Sequence, residues 1–456
     1  MRYESTLQSI KKHPIPDWFH DAKLGIFIHW GLYSVPGWAP TTGKFQEVID
    51  KEGWKSWFAK NPYAEWYMNS IRILGSPSYE YHIKTYGKNF SYDNFVPLFN
   101  KAIVNWDPNE WADLFKKVGA RYVVLTTKHH DGFLLWPSEN PNPKKDKYYS
   151  ERDIVGELTE AVQARGMRMG LYYSGGLDWV FNDIVIRDFP DVLNGILQEP
   201  KYVEYVNNHW HELIDRYETS MLWNDLGYPN AANLNELFAY YYNKIPDGVI
   251  NDRFYQLAPS GGIHFDFRTP EYASFDEIQV EKWESTRGLG YSFGYNRNEG
   301  PEHIISFKEL VCSLVDIVSK NGNLLLGVGP MADGTIPELQ RKRLLELGQW
   351  LDINGEAIFN TRPWLEAEGI TDQSVAVRFT QREETLYSTL LDRPKLTRVT
   401  IKSLLAEKDT TVHLLGEDEA LDWEQKGNDL IITLPKDLKE SPAYAFKITP
   451  KPERVS

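Results

Sequence analysis

The chain has 456 residues, more than one ordinary domain and enough for a barrel with an accessory domain. Its formal net charge of −14 argues against nucleic acid as a partner, because phosphates need a basic surface. With 42% hydrophobic and 25% charged residues the composition is that of a soluble globular protein, and no run approaches the ~20 apolar residues of a membrane helix. The N-terminal stretch MRYESTLQSIKKHPIPDWFHDAK has no apolar core of signal-peptide length. Cys312 is the only cysteine, so an intrachain disulfide is excluded, and the cytoplasm is the expected location.

Short apolar runs recur through the first three-quarters of the chain. They read GIFIHWG (Gly25 to Gly31), YVVLTTKHHDG (Tyr122 to Gly132), RMGLYYSGG (Arg168 to Gly176), SMLWND (Ser220 to Asp225), GVINDR (Gly248 to Arg253) and FDFRTPEY (Phe265 to Tyr272). A region around Trp283 to Tyr295 and then NLLLGVGP (Asn323 to Pro330) supply the late strands. A buried parallel strand is apolar on both faces, so this pattern predicts a barrel with its chemistry at the C-terminal strand ends, on one rim.

Helix signals fill the gaps. Asp107-Pro108-Asn109-Glu110 offers an N-cap, a proline at the first helical position and an acid behind it. Trp111, Leu114, Phe115 and Val118 follow at helical spacing up to Gly119. Asp153 opens the next helix and Gly166 closes it; Ser306 to Glu309 is a capping box, and a last helix runs from near Pro337 to near Gly355. Lys201 to Tyr217 reads as a polar helix whose His209 and His211 are surface residues.

The stretch Pro36 to Asn105 is too long for an ordinary connection and contains WFAKNPYAEWYMNSI (Trp57 to Ile71), an aromatic-rich helical segment. An insertion after the first barrel strand lies on the catalytic rim, which makes Glu65 and Trp66 candidates for lining the pocket. From Ser374 onward the spacing is that of short strands with turns between them, predicting an antiparallel β-sandwich. The boundary falls near residue 358, giving a catalytic barrel over 1–358 and a C-terminal domain over 359–456.

Asp225 and Glu271 end two of the runs, two strands apart around the barrel. Glycoside hydrolysis needs two carboxyl groups flanking the scissile bond, one to attack or activate water and one to protonate the leaving oxygen. The competing reading of Asp225 is a cap on the following helix. His129 and His130 are adjacent, so both face one ligand only if the strand kinks there. Neutral imidazoles can bridge two sugar hydroxyls; the competing idea is a metal site built from His29, His129 and His130. Tyr172, Trp223 and Arg253 also sit at strand ends, where Arg253 can anchor a carboxylate or hydroxyl; plain packing is the alternative for each. An aromatic content of 14% suits the C–H faces of a sugar. No G-x-S-x-G elbow, P-loop or H-E-x-x-H motif is present.

The segments WFHDAKLGIFIHWGLYSVPGWAP, NPYAEWY, WDPNEWADLFKKVGARYVVLTTKHHDGF, GLYYSGGLDW, LWNDLG, NDR, GYSFGYNRNEG and NGNLLLGVGP, in that order, resemble the α-L-fucosidases of glycoside hydrolase family 29 over residues 17 to 355. The resemblance implies an irregular TIM-like (β/α)8 barrel followed by a C-terminal antiparallel β-sandwich, the latter matching in architecture only. It implies a retaining exo-glycosidase that releases terminal α-L-fucose by double displacement, with Asp225 as nucleophile. Glu271, in DFRTPEY, falls at the acid/base position, with Glu281 and Glu284 as runners-up. Fucose contacts are implied at His29, Glu65, Trp66, His129, His130, Tyr172, Trp223 and Arg253, with Phe293 meeting the C6 methyl. No metal and no cofactor are implied. The partner is a fucosylated glycan or glycoside, and a homo-oligomer is compatible. A metal-dependent barrel hydrolase and a non-catalytic fucose-binding protein are the other function classes in play.

Overall fold

The apolar runs form strands because each has both faces covered. β1 (Leu24–Ile28), β2 (Tyr122–Lys128), β3 (Arg168–Ser174), β4 (Met221–Asp225), β5 (Val249–Ile250), β6 (Trp283–Gly288) and β7 (Gly322–Val328) are parallel neighbours in the order β5-β4-β3-β2-β1-β7-β6. The structure is a computed structural model describing residues 2–257 and 262–454. Apart from Arg168 and Arg287 every strand residue is buried, as a parallel sheet under helices requires. β6 is the unusual one: WESTRG is buried although polar, and the reason lies in the functional site.

The segment 266–271 closes the ring. It bridges β5 through Asn251 and Phe267, and β6 through Arg268 with Trp283 and Glu271 with Thr286, all in parallel. It is therefore an eighth stave beside the seven-stranded sheet, held by isolated bridges in a stretch where Pro270 has no N–H to contribute.

α1 (Phe45–Ala59) lies on the rim, and helices α2 (Pro108–Val118), α3 (Ile154–Ala164), α4 (Pro200–Tyr217), α5 (Leu234–Lys244), α6 (Phe307–Ser319) and α7 (Glu338–Asn354) cover the outside. Their ends follow local chemistry. Asp107 accepts from Asn109 N at the start of α2, and Gly119 takes the left-handed conformation at its end, φ 91°. Asp153 caps α3 through Gly156 N, and Ser306 with Glu309 makes both halves of a capping box on α6.

Two expectations are corrected. The segment from Trp57 to Ile71 is not one helix: α1 stops at Ala59, Pro62 interrupts, and a 3-10 turn (Ala64–Trp66) and a short helix (Tyr67–Ser70) follow. His209 is not a surface residue but is fully buried, its ring nitrogens paired with Tyr173 Oη at 2.8 Å and the Asn140 carbonyl at 2.7 Å. Tyr202, Val206 and Leu213 share its helix face, so α4 presents an apolar stripe in which His209 is the polar member.

Beyond Ala357 the chain is β-structure. A five-stranded antiparallel sheet runs Thr411–Leu414, Tyr444–Thr449, Thr385–Leu390, Ala376–Arg382, Arg362–Ile370, and a three-stranded sheet runs Arg398–Ile401, Asp429–Thr433, Trp423–Lys426. Val377, Phe379 and Leu386 of the first sheet share a core with Val399, Ile401 and Ile432 of the second, which makes a sandwich. Strand Arg362–Ile370 had no counterpart in the sequence pattern. α6 braces the barrel against this domain, with Asp316 accepting from Arg378 Nε at 2.6 Å and Cys312 reaching the Leu391 carbonyl at 3.5 Å. Among the described residues no helix is long and apolar enough to cross a membrane.

Candidate active site

The C-terminal ends of the staves surround a rim pocket with about 870 Å³ of empty space, part of it open to solvent. All the residues singled out from the sequence line it: His29, Glu65, Trp66, His129, His130, Tyr172, Trp223, Asp225, Arg253, Glu271 and Phe293. They come from six staves and two rim segments, so only the closed barrel brings them together.

Asp225 ends β4. The next helix, α5, is capped by Asn233, so Asp225 is not a cap. Instead its Oδ1 accepts from Arg253 Nη1 at 3.0 Å and its Oδ2 from the Tyr172 hydroxyl at 2.9 Å, with His130 Nε2 at 3.9 Å from Oδ2. Trp223, two residues back, shares the barrel-interior face with Asp225. Asn224 turns the other way and donates to the Gly227 and Arg253 carbonyls.

Arg253 spans the two carboxylates. Its Nη2 lies 3.5 Å from Glu271 Oε2, while Nε and Nη2 also donate to Thr269 Oγ1 and the Thr269 carbonyl, each at 2.9 Å. Its guanidinium lies over the Trp223 ring, 4.8 Å from the centroid. Glu271 Oε1 accepts from the Tyr63 hydroxyl at 2.7 Å.

The two carboxyl groups feel opposite environments. Burial pushes Asp225 upward, but the charge of Arg253 and the hydrogen bonds from Arg253 and Tyr172 outweigh it and hold the group below its ordinary value. For Glu271 burial wins over Arg253 and Tyr63, and the nearby Asp225 charge adds to it, so its pKa is raised. Carboxylates pushed apart in this way are an acid/base division of labour.

The runners-up lie elsewhere. Glu281 is exposed and paired with Arg268 Nε at 2.5 Å. Glu284 sits inside the barrel beneath the pocket, accepting from the Tyr122 hydroxyl and from Trp223 Nε1 at 3.0 Å. That explains the polar composition of β6: its glutamate anchors the indole that floors the site.

The histidines gather because the strand end kinks. Register shifts between Thr126 and Lys128, and the rings of His129 and His130 come to 4.0 Å between centroids, both facing the pocket. Gly132 completes the turn at φ 76°, where an added Cβ would meet the Asp178 carboxylate. Burial lowers His29 to about 3, His130 to about 4 and His129 well below its ordinary value, so all three rings are neutral at neutral pH. The Ser174 hydroxyl donates to the Leu177 carbonyl at 2.7 Å, so its contact with His130 Nδ1 at 2.6 Å is donated by the ring. His130 Nε2 is then an acceptor facing the pocket. Among the described residues no group of three or more His, Cys, Asp or Glu is placed to hold a metal ion, so His29, His129 and His130 do not form a ligand set.

Glu65 Oε2 accepts from Gly294 N at 2.8 Å and Ser292 Oγ at 3.1 Å, leaving Oε1 for the pocket; burial raises the group to about 7. Phe293 lies 5.0 Å from the His29 ring and 5.6 Å from Tyr63. Trp66 meets His130 edge-on at 5.2 Å.

Sequence reasoning missed an outer wall. Phe45, Trp54, Trp57 and Phe58 of α1, with Tyr63, Phe189 and Leu226, also line the pocket. None ends a strand, so the rim signal did not reach them; the aromatic density of the insertion was the available clue. An aromatic-walled rim pocket holding a carboxylate pair and neutral imidazoles defines a barrel glycoside hydrolase.

Comparison with known proteins makes this specific. Residues 1–356 match the family model Alpha-L-fucosidase, and residues 371–449 the Alpha-L-fucosidase C-terminal domain. The chain belongs to the α-L-fucosidase family. It is 34% identical over 453 residues to the tissue α-L-fucosidase of Bos taurus, covering 95% of this chain and 88% of that one. It is 37% identical over 373 residues to the α-L-fucosidase of Dictyostelium discoideum, covering 80% and 75%. Among solved structures, the Thermotoga maritima α-fucosidase in complex with fucose superposes with a TM-score of 0.88 at 45% identity, covering 98% of this chain and 100% of that one.

Proposed function

We propose that this fucose-releasing glycosidase is a retaining exo-α-L-fucosidase in which Asp225 is the nucleophile and Glu271 the acid/base. The observation that carries the reading is the position of Arg253, which contacts both carboxylates at 3.0 and 3.5 Å and so keeps them close across one pocket. Close carboxylates favour double displacement; inverting enzymes hold them further apart to admit a water between them.

In the first step the Asp225 carboxylate attacks the anomeric carbon while the glycosidic C–O bond breaks, and the Glu271 proton passes to the leaving oxygen. In the second, Glu271, now ionised, takes a proton from water, whose oxygen displaces Asp225. The ion pair with Arg253 and the Tyr172 hydroxyl keep Asp225 ionised for attack. Neutral His29, His129 and His130, with Glu65, supply donors and acceptors for ring hydroxyls, and Phe293 an apolar contact for a C6 methyl. Proton NMR of the first-formed sugar from an aryl α-L-fucoside tests the reading. The α-anomer is expected first; initial release of the β-anomer rejects double displacement.

A further inference from the structure

We propose that Glu299 is a positioning residue that holds the loop seating Phe293, and through that loop sets the preference for a sugar carrying a C6 methyl. The proposal rests on the fucosidase reading above, in which Phe293 meets that methyl, and deepens it.

Between β6 and α6 the chain reads LGYSFGYNRNEG (Leu289 to Gly300) and contributes Phe293 to the pocket. A loop has no ladder to satisfy its N–H groups, so they need other acceptors. Three of them find carboxylates. Glu299 Oε1 accepts from Tyr291 N at 2.7 Å and from Ser292 N at 2.8 Å, and Glu65 Oε2 accepts from Gly294 N at 2.8 Å. Phe293 sits between these two grips. Ser292 links them, accepting at Oγ from Ala64 N at 2.8 Å and donating to Glu65 Oε2 at 3.1 Å. Glu299 does not itself line the pocket, so it reaches a substrate only through the loop.

Close packing makes the seat narrow. A Cβ at Gly290 would lie 2.0 Å from Glu299 Oε2, so glycine there lets the carboxyl approach the loop backbone. On the other side, a Cβ at Gly327 of β7 would lie 2.9 Å from Phe293 Cδ1, and one at Gly329 would lie 2.4 Å from Tyr295 N. The Phe293 ring thus rests on the end of β7 while Glu299 fixes the backbone just before it. The far end of the loop is held separately: Asn296 Oδ1 accepts from Ala39 N at 3.1 Å, and Arg297 N donates to the Gly37 carbonyl at 2.8 Å. Loss of Glu299 therefore frees the stretch around Phe293 and leaves the rest of the loop anchored.

The test compares two aryl glycosides on the full-length enzyme, the α-L-fucoside and the pentopyranoside of the same ring stereochemistry that lacks C6. A packed methyl contact predicts a native kcat/KM ratio of roughly tenfold or more in favour of the fucoside. Glu299→Ala is expected to bring that ratio to within about threefold of one, chiefly through the fucoside. Glu299→Gln keeps an acceptor oxygen for both N–H groups and is expected to restore most of the preference. A merely structural role would lower both substrates by one factor and leave the ratio alone. That result in folded Glu299→Ala, or a Glu299→Gln ratio no better than alanine's, overturns the proposal. If thermal unfolding shows that Glu299→Ala is not folded, Glu299→Asp, one methylene short of the two N–H groups, decides by the same ratio. Phe293→Ala separates the two levels. A native ratio near one, or a ratio that survives in Phe293→Ala, removes the methyl contact and the proposal with it. Loss of the ratio in Phe293→Ala but not in Glu299→Ala removes Glu299 alone.

Discussion

Tyr63 donates its hydroxyl hydrogen to Glu271 Oε1 at 2.7 Å. Tyr63 precedes the 3-10 turn (Ala64–Trp66) in the rim insertion, whereas Glu271 ends the irregular stave, so 208 residues of chain separate partners in one pocket. The bond favours the ionised carboxylate and works against burial, the dominant influence on Glu271. Tyr63 therefore both aims the acid and moderates its proton affinity.

Tyr63→Phe removes that donor without changing the ring. The Glu271 carboxylate loses stabilisation, so its raised pKa climbs further and the alkaline limb of kcat/KM moves to higher pH. A fall of roughly tenfold in kcat/KM at the optimum is expected from lost orientation. A pH–rate profile with an unmoved alkaline limb would show that Tyr63 does not act through Glu271.

Removal of the nucleophile is more severe. Asp225→Gly should lower turnover by about 10,000-fold, since the attacking atom itself is lost. The shortened side chain leaves room for azide, and a β-fucosyl azide is the expected rescue product. Near-native activity in Asp225→Gly removes Asp225 from its role.

Glu271→Gln separates the acid from the nucleophile by leaving-group dependence. An unactivated fucosyl oligosaccharide needs the proton, so its kcat/KM should fall roughly 100- to 10,000-fold. An aryl fucoside with an acidic phenol departs without help and should lose far less in its first step. Equal losses on both substrates would move the acid function to another residue.

The barrel was legible because strands buried on both faces leave continuous apolar runs, as β1, β2 and β7 do. The stave 266–271 reads as one of these runs, FDFRTPEY, and the structure holds it by isolated parallel bridges on either side of Pro270. All the site residues anticipated from motif and rim position line the pocket, while the wall from α1 was not anticipated because helix aromatics carry no strand-end signal. His209 misled because α4 is polar in sum. Spacing with Val206 and Leu213 marks its buried face, and composition alone does not.

Glu284 gives the pH dependence of stability a local test. Its carboxyl is raised from 4.5 to about 7, above all by burial, against hydrogen bonds from Tyr122 and Trp223. Below about 4.5 the group is protonated folded and unfolded alike, and its contribution is whole. As pH rises the unfolded chain loses this proton first, so stability drains away until about 7 and then levels off. Glu284→Gln keeps an acceptor for Trp223 Nε1 and does not titrate. Its melting temperature relative to the native protein should therefore rise between pH 5 and 8, on the order of a few degrees. Parallel melting curves for the two proteins across that range would mean that Glu284 is ionised throughout, with its charge balanced inside the barrel by the neighbouring Lys282.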